Sequence, residues 1–299
     1  MLEGSIVALV TPFNESMEVN YLKLEELVEI QCDSDTDGVV VLGSTSESST
    51  LTREEKNKIL QTVINKNKGR MKIVAGIITN NTLEAIEISK NYEKLGADYL
   101  LVVAPFYIKP NKAGIVKHFK SIAQSVSIPI IIYNVPSRCG VNIDYESLKE
   151  IKMISNIIGV KESNKDINHI LDIFKLSDCN FKIYCGNDEL SYLFLSHGAK
   201  GLINVYGTLN PVIMKKILNL YNNKHQLAYD YFYKFYDIFK LLNSETNPIA
   251  IKALMNYEDM NVGNHRLPLD VMEENKYNEF INIYKKLSIQ QYSHFKAMD

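Results

Sequence analysis

The sequence predicts an α/β fold, a TIM (β/α)8 barrel with a C-terminal helical extension. Eight short apolar runs recur along the chain, at residues 5–10, 38–42, 73–77, 99–104, 128–132, 157–160, 181–184 and 201–205. Segments with helical periodicity separate these runs, which is typical of repeated βα units around a parallel sheet. Eight such units favour the barrel over a doubly wound open sheet, the main alternative. No glycine-rich nucleotide-binding motif follows the first run, which also favours the barrel.

Helix boundaries can be predicted at three places between the strands. Thr52 and Glu55 form a capping box, in which the hydroxyl and the carboxylate satisfy free backbone N–H groups. Asp144 is a second predicted N-cap. Gly96 ends another helical segment as a left-handed C-terminal residue.

The chain divides into a predicted barrel, residues 1–209, and C-terminal helices, residues 210–299, which pack on the barrel and partly complete it. One of these helices carries many aromatic residues, at positions Tyr229, Tyr231, Phe232, Tyr233, Phe235, Tyr236 and Phe239. Aromatic side chains around nearly the whole circumference predict a helix that is covered on several sides. Packing within the subunit is the simpler cause, and an oligomer contact is the alternative.

The composition excludes several classes of function. Of the 299 residues, 46% are hydrophobic and 23% charged, as in ordinary globular proteins, and the net charge of -2 indicates neither nucleic acid nor membrane as a partner. The four cysteines show no CxxC pairing, so we expect no metal, no disulfide framework and a reducing, cytoplasmic location. The N-terminus lacks the pattern of a signal peptide, and no apolar run is long enough to span a membrane.

Polar side chains follow several of the predicted strands. In a TIM barrel the carboxyl ends of all strands lie on one face, where catalysis takes place. Each residue alone has an ordinary explanation as a turn residue, an amphipathic rim residue or a surface charge. Together they would bring hydroxyls, phenols, a guanidinium and an amine to one mouth. These residues are Ser44, Thr45, Tyr107, Tyr133, Arg138 and Lys161.

Lys161 ends the sixth apolar run, so it leaves the core at the predicted mouth. Most lysines in such a position extend the ammonium group into solvent. Burial disfavours the charged form, however, and a neutral amine can attack a carbonyl. The other polar residues at the mouth favour the second interpretation, which makes Lys161 a candidate nucleophile.

These residues resemble the pyruvate-dependent class I aldolases of the dihydrodipicolinate synthase and N-acetylneuraminate lyase group. The shared motifs are G-x-x-x-x-G-S-T-x-E from Gly38 to Glu47, Y-N-V-P from Tyr133 and V-K-E from Val160. Further similarity runs through 105–107, 186–188, 247–249 and 266–269, so it spans essentially the whole chain.

The resemblance implies a role for each candidate residue. Lys161 would form a Schiff base with pyruvate, and Tyr133 would be the general acid/base. Thr45 and Ser44 would hold the pyruvate carboxylate, and Ile203 would also bind substrate. Ser44 would further take part in a proton relay with Tyr133 and with Tyr107, which in this family reaches the active site of a neighbouring subunit. The partners would be pyruvate, an aldehyde and further copies of the chain, as a tight dimer within a tetramer, with no metal or organic cofactor.

Arg138 favours one reaction within the group. A guanidinium matches a carboxylate geometrically, and the resemblance assigns it the carboxylate of aspartate 4-semialdehyde, as in lysine and diaminopimelate biosynthesis. One alternative is a lyase of N-acetylneuraminate or of 2-keto-3-deoxy sugar acids. Another is a catalytically impaired relative that binds a keto acid.

Several residues depart from the synthase pattern. Ser44 replaces threonine, Ser46 replaces a turn glycine, Ile77 and Ile78 replace Thr-Gly, and Tyr206 replaces a small residue. A positive φ at Ser46 would be strained, and we expect the other changes to crowd the mouth and affect the choice of aldehyde.

A further departure concerns feedback inhibition by lysine. Lysine-inhibited members bind lysine at positions that match Ser48, Ser49, Arg53, Lys56, Asn80, Glu84 and Phe106. Arg53 and Lys56 stand where histidines are expected, and their charge predicts weak or absent inhibition.

Overall fold

A computed structural model describes residues 2–295, with side chains through residue 288. Eight parallel strands form a closed barrel in which each strand pairs with its neighbour in sequence and the first pairs with the last. The predicted TIM barrel is therefore confirmed. The strands are β1 Gly4–Ala8, β2 Gly38–Val41, β3 Lys72–Ile77, β4 Tyr99–Val103, β5 Ile130–Asn134, β6 Ile157–Glu162, β7 Lys182–Cys185 and β8 Gly201–Asn204.

Helices follow the strands around the barrel and continue beyond β8. They are α1 Tyr21–Asp33, α2 Arg53–Asn67, α3 Thr82–Leu95, α4 Lys112–Ala123, α5 Pro136–Cys139, α6 Tyr145–Ile151, α7 Ile167–Phe174, α8 Ser191–Ser196, α9 Pro211–Asn223, α10 His225–Leu241, α11 Ile249–Tyr257 and α12 Glu274–Phe295. Short 3₁₀ helices lie at Ser48–Thr50, Asp188–Leu190, Tyr206–Thr208 and Leu242–Ser244.

The capping residues predicted from the sequence are confirmed. Thr52 and Glu55 form the capping box of α2, and the Asp144 carboxylate accepts a hydrogen bond from Ser147 at the start of α6. Gly96 ends α3 with a φ of 104°, a left-handed conformation that glycine adopts without a steric penalty.

Two strands are longer at their carboxyl ends than the apolar runs predicted. Tyr133 lies inside β5 and Lys161 inside β6, and the two residues are directly paired in register. The apolar run 157–160 therefore stopped two residues before the end of β6, and Lys161, expected where the strand ends, is its last residue but one. Polar residues can end a buried strand where it borders a cavity, because the ladder hydrogen bonds continue after the apolar pattern stops.

The C-terminal helices share one core with the barrel. A single cluster of buried apolar side chains extends from Leu2 to Tyr284. Helix α9 packs on β1 and α10, and α10 also contacts the 3₁₀ helix after β7. The predicted division at residue 209 stays a prediction, because this core runs across it.

The aromatic helix α10 buries one face only. Phe232, Phe235 and Phe239 are buried, and Phe239 packs edge-on against Tyr206 with ring centres 5.4 Å apart. Tyr229 and Tyr233 remain about half exposed. The aromatic pattern predicted a helix covered on several sides, but the described residues of this chain cover one face only. The alternative, an oligomer contact, stays a prediction.

Among residues 2–295, none of the helices combines the length and the apolar character that crossing a bilayer requires.

Candidate active site

A cavity of about 560 Å³ opens at the carboxyl ends of the strands. Its walls come from the ends of β5, β6 and β7, from the turn after β2, and from the segment that follows α10. Of the predicted site residues, the cavity brings together Ser44, Thr45, Tyr133, Arg138 and Lys161.

Lys161 lies at the base of this cavity and is only 5% exposed. Its Nζ stands 4.3 Å from the centre of the Tyr133 ring, because the two residues are register partners in β5 and β6. Gly186 allows the lysine side chain to pass, since a Cβ there would lie 3.0 Å from Lys161 Cε and 2.2 Å from Ser163 Oγ. Two strands and one glycine thus hold the amine beside the phenol.

A buried carboxylate next to Lys161 joins the ends of β5 and β6. Glu162 accepts hydrogen bonds from Asn134 Nδ2 at 2.9 Å, from His169 Nε2 at 3.0 Å and from the Asn164 backbone N–H at 2.6 Å. Burial lowers the pKa of His169, but the hydrogen bond to Glu162 and the negative charges of Glu162, Asp166 and Asp172 together outweigh it, so the pKa is raised overall. This network restrains the strands that carry Tyr133 and Lys161.

The turn after β2 presents Ser44 and Thr45 to the cavity. Positive φ values fall at Leu42 and Glu47, not at Ser46, so the strain expected at Ser46 is absent. Instead, the Ser46 hydroxyl donates to the Leu9 carbonyl at 2.7 Å. The Ser46 side chain therefore ties this turn to the segment after β1.

A buried ionic cluster supports the same turn from below. Glu47 accepts hydrogen bonds from Lys252 Nζ at 2.9 Å, from the Arg266 backbone N–H at 3.1 Å and from His265 Nδ1 at 3.3 Å. Burial raises the pKa of Glu47, but His265 and the charge of Lys252 outweigh it, so the pKa is lowered overall. A buried carboxylate that is paired and hydrogen-bonded in this way stays ionised.

Thr45 and Arg138 both bind Asn247, which precedes α11. The Asn247 side-chain amide donates to Thr45 Oγ1 at 2.9 Å. Its backbone carbonyl accepts a hydrogen bond from the Arg138 guanidinium at 2.8 Å. The exposed Arg138 is thereby held at the rim of the cavity.

Asp188 is a buried carboxylate on the cavity wall. Burial raises its pKa to about 6, although the Tyr206 and Val205 backbone N–H groups and the charge of Lys161 oppose this effect. The hydrogen bonds from these N–H groups measure 2.6 and 3.0 Å. Asp188 therefore changes its charge in the weakly acidic range.

Two predicted site residues lie apart from the cavity within this chain. Tyr107 is 86% exposed, with a φ of 70°, and Ile203 is fully buried in β8, opposite Ile6. Neither belongs to the cavity wall among the described residues. Their roles stay predictions.

The expected crowding of the mouth is wrong. Ile77 is buried in β3, Ile78 packs against the core, and Tyr206 is buried against Phe235 and Phe239. None of the three side chains lines the cavity within residues 2–288. The bulky Tyr206 fits because the aromatic helix α10 covers it.

Three groups near the site had no role predicted from the sequence: Asn247, the Glu162 network, and the contacts of Lys252 and His265 with Glu47. Asn247 and Glu47 belong to the shared motifs, and this membership was the only sign in the sequence that they matter for the site. Their partners lie far away in sequence, so no local pattern could identify the contacts.

The site combines the groups that imine chemistry requires. A buried amine could condense with a carbonyl, and the adjacent phenol could transfer protons. Hydroxyls and a guanidinium could bind carboxylates at two places in the same cavity.

Comparisons with known proteins show which family the chain is similar to. A model of the Dihydrodipicolinate synthetase family matches residues 1–287. The chain is 38% identical to the 4-hydroxy-tetrahydrodipicolinate synthase of Brachyspira hyodysenteriae over 97% of this chain and 99% of that protein. The crystal structure of dihydrodipicolinate synthase from Aquifex aeolicus superposes with a TM-score of 0.92 at 38% identity, covering 96% and 98% of the two chains. The chloride-inhibited enzyme from Acinetobacter baumannii, solved in complex with pyruvate, has a TM-score of 0.93 at 33% identity, covering 97% and 100%.

Proposed function

The chain belongs to the dihydrodipicolinate synthetase family, and on this premise we propose that Lys161 forms a Schiff base with pyruvate. The activity of the chain is that of a 4-hydroxy-tetrahydrodipicolinate synthase. This lyase condenses pyruvate with aspartate 4-semialdehyde in lysine and diaminopimelate biosynthesis. The observation that carries the proposal is the buried Lys161 amine, held 4.3 Å from the centre of the Tyr133 ring.

The reaction begins at the ketone carbon of pyruvate. Lys161 Nζ attacks this carbon, and water leaves as the imine forms. The protonated imine withdraws electrons from the neighbouring methyl group, which loses a proton to give an enamine. Tyr133 is the proposed acid and base for these proton transfers, because its ring lies beside Nζ.

The enamine carbon then attacks the aldehyde carbon of the second substrate, and a proton neutralises the new alkoxide. The amino group of that substrate attacks the imine carbon, which closes the ring and releases Lys161. Thr45 and Ser44 are suited to bind the pyruvate carboxylate, since both line the cavity near the base. Arg138 is suited to bind the second carboxylate at the rim.

We infer further that Tyr107 acts in a neighbouring copy of the chain. The ring is 86% exposed and Ile108 beside it is 59% exposed, which supports a covered position in a dimer. The tight dimer, the tetramer and the cytoplasmic location expected from the sequence remain predictions. Mixing separately inactive Lys161→Ala and Tyr107→Phe variants tests the dimer: complementary subunits would restore activity if Tyr107 crosses to its partner.

Borohydride reduction in the presence of pyruvate tests the Schiff base. We expect a carboxyethyl group on Lys161, detected by peptide mass analysis, and no modification in Lys161→Ala. A coupled assay with aspartate 4-semialdehyde and, separately, N-acetylneuraminate tests the substrate. A wild-type chain that folds but is not alkylated at Lys161 would refute the mechanism.

A further inference from the structure

We propose that Asn247 is a positioning residue that makes the Thr45 hydroxyl a hydrogen-bond donor to the pyruvate carboxylate. This rests on the proposed function, and it assigns to the segment after α10 a part in binding the first substrate. Asn247 would act through Thr45 and not on the reacting atoms.

The hydrogen-bond chemistry of the hydroxyl carries the inference. Thr45 is 4% exposed and lines the cavity, and the Asn247 amide donates to its Oγ1 at 2.9 Å. A hydroxyl has one proton and two acceptor lone pairs. Because the amide N–H occupies a lone pair, the proton stays available for a ligand. Among residues 2–288, no other group is hydrogen-bonded to this hydroxyl.

The other end of the Asn247 amide, Oδ1, is buried and is left without a hydrogen-bond partner among the described residues. Buried unpaired carbonyl oxygens are costly and uncommon. The reverse orientation would place Oδ1 against Thr45 and consume the hydroxyl proton. The cost of the unpaired oxygen is consistent with a need to keep that proton for a bound carboxylate.

Asn247 contacts the second carboxylate site by a different group. The Arg138 guanidinium donates to the Asn247 backbone carbonyl at 2.8 Å, and a side-chain substitution retains that carbonyl. Substitutions at residue 247 should therefore weaken pyruvate binding more than aldehyde binding. A merely structural role would affect both substrates alike.

The test compares Asn247→Ala and Asn247→Asp by steady-state kinetics with both substrates. We expect the KM for pyruvate to rise about 10-fold in N247A and about 100-fold in N247D. Losing one hydrogen bond to a charged group weakens binding by about 10- to 100-fold. The larger effect in N247D arises because a carboxylate would accept the Thr45 proton and repel pyruvate. The KM for the aldehyde should change several-fold less.

A double-mutant cycle with Thr45→Val isolates the pathway. If Asn247 acts through the hydroxyl, N247A will not raise the KM for pyruvate further in a T45V background. An equal effect in both backgrounds, or an equal rise for both substrates, would overturn the inference. If N247A fails to fold, the isosteric N247D variant takes its place in the cycle with Thr45→Val.

Borohydride trapping separates this inference from the proposed function. If wild-type Lys161 is not alkylated with pyruvate, the Schiff-base mechanism fails. If trapping succeeds but N247A and N247D show the wild-type dependence on pyruvate concentration, only the role of Asn247 fails.

Discussion

The two sides of the cavity are built differently. On the strand side, Lys161, Tyr133 and Thr45 are 5%, 6% and 4% exposed; sheet register holds the first two, and the Asn247 amide binds Thr45. On the outer side, Arg138 is exposed, and its guanidinium donates to the Asn247 backbone carbonyl. Sheet register thus fixes Lys161 and Tyr133, whereas Arg138, the proposed group for the second substrate, is exposed and is held through the segment after α10. Variation in substrate choice is therefore expected mainly on the outer side.

The largest expected effect comes from removing the support of the strand side. Glu47→Ala leaves the ammonium of Lys252 buried without its carboxylate partner. Breaking a buried pair in this way costs about 3–5 kcal/mol of folding free energy. Denaturant unfolding followed by circular dichroism measures this loss.

Glu29→Ala is the matched control, because Glu29 forms ion pairs with Lys66 and Arg70 at the surface. Exposed pairs contribute little to stability. Equal losses in E47A and E29A would contradict the special role of the buried cluster.

The second expected effect is a pH dependence of folding stability that arises from Asp188. Burial raises its pKa to about 6, whereas an unfolded aspartate titrates near 3.9. Between these values the folded chain binds a proton that the unfolded chain lacks, so stability falls as pH rises through this window. The loss is about 3 kcal/mol above pH 6. We expect Asp188→Asn to remove this part of the pH dependence, measured as unfolding midpoints from pH 4 to 7, and an unchanged slope would contradict it.

The third prediction concerns Arg138, on the outer side of the cavity, and the binding of the second substrate. Arg138→Ala should raise the KM for aspartate 4-semialdehyde about 10- to 100-fold, since a hydrogen bond to a charged group is lost. Arg138→Lys keeps the charge but not the planar fork, so we expect an intermediate value. Borohydride trapping with pyruvate should remain at the wild-type level in both. A parallel loss of trapping would show that the two sides are not independent.

The smallest expected effect is inhibition by lysine. Arg53 is exposed and Lys56 is half-buried. Burial lowers the pKa of Lys56, and the negative charge of Glu84 offsets part of this shift. Their positive charge should repel a lysine ammonium, so we expect weak or absent inhibition in the coupled assay. Half-maximal inhibition by sub-millimolar lysine would refute this, and Arg53→His with Lys56→His should strengthen inhibition.

Local pattern was enough to predict the barrel, its order of strands and the helix caps at Thr52, Gly96 and Asp144. These features depend on the alternation of apolar and polar residues over a few positions, which the sequence displays directly. The candidate groups Lys161 and Tyr133 were predictable for the same reason, because parallel strands end on one face. Family resemblance then added their roles.

Only the tertiary structure decided how the site is held. The contacts of Thr45 with Asn247 and of Glu47 with Lys252 each join segments about 200 residues apart. Packing also decided the place of Tyr206, which the sequence predicted to crowd the mouth but which packs beneath the aromatic helix α10. Such contacts depend on which distant surfaces meet when the barrel closes, and that information is absent from any local stretch of the chain. The sequence by itself determined which chemical groups reach the mouth, and the packing determined which of them are oriented, buried or left at the surface.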